Sequence, residues 1–265
     1  MSHTLGLQMY TLRHLMDKTE DPRDVLTRVK EIGYDAVQIH AGNKMSVAEL
    51  KALLDSIGLK PLSLCHLDYN GILGLLSDPK TAIEKAHTLG VEYLDIDTLF
   101  IENRGTETGY RLFSALVNRA GAAVKGEGLK LCYHNHSLEF HKFESGKIGF
   151  EILFEETDPA ILDFCLDCHW LQGAGANPVK WIKKAEGRMK TIHFKDYGID
   201  LGTTVVEVTP RLFKAVGEGN MDWPPIVEAC KEVGIQNYVV EQDICDRDAF
   251  DCIDSSYRYI KRLGL

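Results

Sequence analysis

Imidazole and carboxylate side chains recur in this sequence at the ends of short apolar runs. PLSLCH (61–66) ends in His66, and LKLCYH (129–134) ends in His134 and continues through Asn135 and His136 to Glu139. ILDFCLD (161–167) ends in Asp167, and MKTIHF (189–194) carries His193 and is followed by Lys195 and Asp196. NYVVEQ (237–242) carries Glu241, with Gln242 and Asp243 after it. Such groups converging unpaired on a narrow space would be desolvated at high cost. A single divalent cation removes that cost, and mixed oxygen and nitrogen ligands suit Mn2+, Mg2+, Co2+ or Zn2+ rather than a thiolate-selective metal. The competing reading is a salt-bridged rim closed by Lys195 and surface lysines.

Individual residues carry less. A lone His66 at a strand end reads first as a hydrogen-bonded structural residue. His134 and His136 lie two apart, so in extended chain they share a face; one can brace a carboxylate while the other moves a proton. Cys165 and Cys168 fall on opposite faces of a continuing strand, which disfavours a shared zinc. Trp170 and Trp181 read as packing or substrate-platform residues, and Gly217-Glu218-Gly219 as a flexible loop.

The elements that must position these residues alternate in type. Eight β-rich apolar runs can be counted, at 5–10, 34–39, 61–66, 91–96, 129–134, 161–167, 189–194 and 237–242. Helical patterns lie between them. Asp21-Pro22 opens one, with Val25, Leu26, Val29 and Ile32 at helical spacing and Gly33 as its stop. Ser46 and Glu49 form a capping box for a helix that closes at Gly58. Asp78-Pro79 and Asn177-Pro178 repeat the start signal, and Gly90, Gly128 and Gly234 repeat the stop. A last helix is expected from about Asp248 to Arg262. Strict alternation implies parallel strands with right-handed crossovers, and eight units predict a closed (β/α)8 TIM barrel over a single domain, 1–265. An open doubly wound sheet is the alternative, but G-x-G-x-x-G is missing after the first strand. In a barrel the chemistry sits at the C-terminal ends of the strands, where these polar residues fall.

The chain has 265 residues, 45% hydrophobic and 26% charged, with a formal net charge of −9. That balance argues against nucleic acid as a partner, since phosphate-backbone binding needs a dense cationic surface. No apolar stretch approaches the roughly 18 residues of a membrane span, and the N-terminus lacks a secretory pattern. The seven cysteines, several within apolar runs, suit a reducing cytoplasm. A small-molecule carbohydrate is the expected partner, and a homo-oligomer is compatible with the sequence.

YHNHSLEF (133–140), LDCHW (166–170), IHFKD (192–196), VGEGNMDW (216–223) and VVEQD (239–243) together resemble the xylose-isomerase-like sugar isomerase/epimerase superfamily. The resemblance runs over essentially the whole chain and is strongest in its second half. It implies a TIM barrel holding one divalent metal, Mn2+ foremost, through Glu139, Asp167, His193 and Glu241. It makes His136 the leading proton-transfer residue, with Glu139, Glu241 and Lys195 in the catalytic set, and it places His66, His134, Trp170 and Lys195 near the substrate. Epimerases of the tagatose/allulose type carry a glutamate where this chain has His134 and a catalytic histidine near Trp170. The YHNH variant is closer to the branch handling keto-inositols and 3-keto-glycosides.

The chemistry implied is proton removal beside a ketone, with the resulting enediolate stabilised by the metal. Reprotonation gives isomerisation or epimerisation, which is the leading expectation. Loss of a β-leaving group gives dehydration or lyase chemistry, including C-glycoside deglycosylation, as the alternative. An abasic-site endonuclease and a non-catalytic sugar-binding barrel are the more remote readings.

Overall fold

The computed structural model describes residues 3–18, 21–39, 45–65, 69–99, 104–202 and 211–265. His66, a sequence candidate for the substrate site, lies outside the described residues. Eight parallel strands close a barrel: β1 (Thr4–Gln8), β2 (Ala36–Ile39), β3 (Lys60–Cys65), β4 (Tyr93–Ile96), β5 (Lys130–His134), β6 (Leu162–Asp167), β7 (Thr191–Phe194) and β10 (Asn237–Val240), with β10 joining β7 to β1. The expected TIM barrel is therefore present.

The helices begin and end where local chemistry stops other conformations. Ser46 accepts from the Glu49 amide while the Glu49 carboxylate accepts from the Ser46 amide, capping helix Val47–Ile57. Asn177 accepts from the Lys180 amide ahead of helix Pro178–Lys184. Gly58 and Gly90 end their helices at φ +72°, a conformation that costs any residue with a Cβ. The final helix, Ala249–Arg262, is capped by Asp248.

Strand residues alternate between two environments. Tyr133, Phe164, Phe194 and Tyr238 face outward into the main core, where Phe113, Phe150, Trp181 and Trp223 cover them from the helices. Trp181 is thus a core residue, in edge-to-face contact with Phe150 at 5.0 Å, and not a substrate platform. The opposite faces line the barrel interior, where Tyr93, Cys132 and Cys165 form a separate apolar cluster. Two residues further along the same faces lie His134 and Asp167, so strand pleating carries both to the C-terminal mouth.

One element was not expected. β8 (Asp196–Ile199) and β9 (Arg211–Lys214) form an antiparallel pair beyond the end of β7. Asp196 turns away from the mouth. Its carboxylate accepts from the amides of Tyr197, Gly217, Gly219 and Met221 and from the Trp223 indole at 2.7 Å. A Cβ on Gly219 would come within 2.2 Å of Asp196 Oδ1, so the Gly217–Gly219 segment is a pinned turn, not a flexible loop. Burial pushes the Asp196 carboxyl up, and these donors oppose the shift.

Candidate metal centre

Register assembles the site. Asp167 pairs directly with His193 across β6 and β7, and Val239 pairs with His193 across β10 and β7. Glu241, two residues beyond Val239, therefore shares the inward face, and its amide donates to Phe194 O at 3.1 Å. With His134 from β5, four successive strands deliver His134, Asp167, His193 and Glu241 to one point. One ligand atom from each lies within 4.8 Å of all the others, and all four residues are buried.

The spacing is close. His134 Nε2 lies 3.2 Å from Asp167 Oδ2, His193 Nδ1 lies 2.9 Å from Glu241 Oε2, and His193 Nδ1 lies 4.0 Å from Asp167 Oδ2. Asp167 is held from two sides: Oδ1 accepts from the Trp170 amide at 3.1 Å, and the Asp167 amide donates to Asn135 Oδ1 at 3.0 Å. Lys195, 1% exposed, brings its ammonium 2.7 Å from Asp243, 3.2 Å from Glu241 and 3.6 Å from Asp167. It also lies 4.9 Å over the Trp170 ring.

The electrostatics follow from that packing. Burial works against an imidazolium at His134, but Asp167 and Glu241 outweigh it and lift the group to about 9. Burial opposes ionisation of Glu241, yet Lys195 and the two imidazoles hold its carboxyl well below the usual range. The same burial acts on Asp167, and Lys195 and His134 bring it down. Burial would lower Lys195, but three carboxylates raise it, so it stays charged.

A divalent cation fits these residues. His193 Nε2 lies 2.5 Å from the amide oxygen of Gln38, which can only accept, so Nε2 carries the proton. His193 Nδ1 then turns a lone pair toward the Glu241 carboxylate at 2.9 Å, an arrangement that needs a proton or a cation between them. Two imidazole nitrogens and two carboxylate oxygens are a donor set of the kind that holds first-row divalent metals.

Glu139, the sequence candidate for a ligand, stands apart from this group. Its Oε1 accepts from the Tyr133 hydroxyl at 2.7 Å and its Oε2 from the His136 amide at 2.9 Å. The side chain is fully buried, which raises its carboxyl. It braces the turn Leu138–Phe140, and the group of described residues that could hold a metal contains His134 and not Glu139.

His136 and Trp170 lie at the edge of the centre. The His136 ring is 4.9 Å from His134 and 5.4 Å from Trp170. Burial first, then the positive charges at His134 and Lys195, depress it to about 3, so it is neutral. Its buried Nδ1 has no hydrogen-bond partner among the described residues. His169, held down to about 4 chiefly by burial, stacks on Phe213 of β9 at 4.9 Å, so the unexpected hairpin supplies one wall beside Trp170. Cys165 and Cys168 are buried free thiols outside the cluster.

A family model described as xylose isomerase-like TIM barrel matches residues 26–262. An inosose dehydratase of Geobacillus thermodenitrificans is 26% identical over 168 residues, 59% of this chain and 55% of that protein. An inosose dehydratase of Clostridium beijerinckii is 25% identical over 191 residues, 67% of this chain and 62% of its own length. The chain thus spans little more than half of the curated relatives it matches. Among solved structures, a sugar phosphate isomerase/epimerase from Parabacteroides distasonis superposes with a TM-score of 0.79 at 23% identity, covering 98% of this chain and 94% of that one. The IOLI protein, solved with a bound zinc atom, superposes with a TM-score of 0.70 at 18% identity over 98% and 96% of the two chains. At these identities the solved structures establish the shared fold. Among the described residues no helix is long and apolar enough to cross a membrane.

Proposed function

This chain belongs to the xylose isomerase-like TIM barrel family, and from that premise we propose that it is a divalent-metal-dependent dehydratase or lyase acting on a polyhydroxylated ketone such as a keto-inositol or 3-keto-sugar. His134, Asp167, His193 and Glu241 hold the metal. Two imidazoles in the set favour Zn2+, Mn2+ or Co2+ over Mg2+, which prefers oxygen ligands. When bound, the ion supplies Lewis-acid polarisation of the ketone beside the carbon that loses its proton.

The observation that carries the reading is the placement of His136, whose ring lies 4.9 Å from His134 and 5.4 Å from Trp170. It is a neutral imidazole at the mouth, with one buried ring nitrogen unpartnered among the described residues. Such a group takes the proton from the carbon next to the ketone as the C–H bond breaks. It returns that proton to the β-hydroxyl as the C–O bond breaks, releasing water. One shuttle serves both steps of an elimination on one face, and the depressed basicity that makes it a weak base makes its imidazolium a strong donor. The Lys195 ammonium, held charged by its carboxylate neighbours, faces the negative charge that develops on the substrate oxygens. Trp170 provides an apolar ring face for the carbon skeleton. The named activity of the curated relatives supports this order of preference.

Isomerisation or epimerisation is the second reading. Inversion through an enediolate needs a proton site on each face of the carbon. Glu241 meets His193 Nδ1 and accepts from Lys195 through Oε2 alone among the described residues, which leaves Oε1 as that second site. Incubating metal-loaded protein in D2O with keto-inositols and 3-keto-glycosides, followed by NMR, separates the two. An unsaturated or dicarbonyl product with loss of water supports the dehydratase. A deuterated epimer or aldose–ketose isomer without elimination overturns it in favour of the second reading.

A further inference from the structure

We infer that Gln38 on β2 is the positioning residue that fixes which nitrogen His193 offers to the metal, and that Asp95 on β4 sets the orientation of Gln38. The inference deepens the metal-dependent reading and rests on it.

The polar groups concerned lie inside the barrel, below the metal centre. Gln38, Ser63 and Asp95 are 2%, 3% and 3% exposed. A planar amide can sit either way round, so something must choose. Gln38 Nε2 donates to Asp95 Oδ2 at 3.1 Å and to Ser63 Oγ at 3.1 Å, while the Ser63 hydroxyl donates in turn to Asp95 Oδ2. Turning the amide over would set its oxygen against the carboxylate and its NH2 against the His193 ring. The amide oxygen is therefore aimed across the barrel at His193 Nε2, 2.5 Å away, and Gln8 Nε2 donates to the same oxygen at 3.4 Å. An acceptor at that distance holds the proton on Nε2 and commits Nδ1 to the side of Asp167 and Glu241. Orientation thus passes from Asp95 through Gln38 to a ligand on the far wall. The outer partners of a ligating histidine commonly fix its tautomer and raise its basicity.

The test measures zinc binding by competition with a chromogenic chelator, and the His193 tautomer by long-range 1H–15N NMR of the zinc-loaded protein. Gln38→Met removes the acceptor. It should weaken zinc binding about 10- to 100-fold, the usual effect of losing such a partner, and abolish the single Nε2-protonated tautomer. Gln38→Glu alone sets two carboxylates against each other and should also bind poorly. Adding Asp95→Asn restores a donor opposite Glu and an acceptor opposite His193, and should return affinity to within about threefold of the wild type. A role limited to packing predicts no such rescue. If Gln38→Met does not fold, the Gln38→Glu variant and its double variant carry the test. Unchanged affinity and tautomer in Gln38→Met, or no recovery in the double variant, overturns the assignment. A wild-type chain that binds no metal overturns the metal reading itself, and this inference with it.

Discussion

Asp167 and His193 are direct partners in the β6–β7 ladder, and that pairing sets His193 Nδ1 4.0 Å from Asp167 Oδ2. The centre is built at the edge of a rigid sheet, not on a loop. Parallel register fixes three of its members, and only Glu241, one residue past the end of β10, depends on the chain beyond a strand. Substitutions that remove a ligand atom should therefore change binding without unfolding the barrel.

The contrast between two glutamates tests this directly. Glu139→Gln should keep the metal, because both Glu139 oxygens serve Tyr133 and the His136 amide. It should lower stability by roughly 1–3 kcal/mol, the range for a buried acceptor replaced by a group that mismatches one donor. Thermal melting and metal analysis of the same sample check both parts. Loss of metal with unchanged melting would return Glu139 to the ligand set.

His136→Ala should retain the metal and lose proton chemistry. We expect a fall of about 100-fold or more in turnover and in solvent deuterium exchange, the typical contribution of a positioned acid–base group. Undiminished exchange would assign the proton step to Glu241.

Metal uptake should be linked to pH through His134. In the metal-free protein this imidazole is lifted to about 9, so near neutrality it carries a proton that an incoming cation must displace. Affinity should rise with pH toward about 9, and calorimetry near pH 7 in buffers of different ionisation enthalpy should report proton release. The stability linkage has the opposite sense. The folded value lies above the ordinary 6.5, so the stabilisation from His134 is fully present below pH 6.5 and is lost as pH rises through about 9. A metal-free protein that gains stability over that window would contradict the assignment.

Asp196 should behave as a structural residue despite its place in IHFKD. Asp196→Ala leaves the Trp223 indole and the amides of Gly217 and Met221 without their acceptor. A loss on the order of 3 kcal/mol is expected from stranding several buried donors. Asp196→Asn should recover part of it. Urea denaturation of both variants measures the difference.

The sequence made the barrel legible because the strands are short apolar runs, most of them preceded by a helix stop. Gly33, Gly58, Gly90 and Gly234 mark those stops and adopt the positive φ that only glycine takes easily. The convergence of Asp167, His193 and Glu241 is legible for a related reason: each lies within or just past the end of such a run. The motif pattern puts His134 at the mouth, on the substrate side. Pleating carries a signal for its place in the cluster, since His134 shares a face with Cys132 inside the barrel, whereas Glu139 sits in a turn where strand alternation says nothing. The β8–β9 pair escaped because its strands are four residues each and partly exposed, with Gly198 in one of them. Gln38 has a weaker signal, a single amide within the apolar run YDAVQI.

The most direct test of the central claim is the metal stoichiometry of stripped and reloaded protein, with Asp167→Asn and Glu241→Gln measured beside the wild type. One zinc or manganese ion per chain in the wild type, and at least about tenfold weaker binding in each variant with melting curves preserved, is the expected result. Equal binding by all three proteins, or none by the wild type, would contradict a metal centre formed by His134, Asp167, His193 and Glu241.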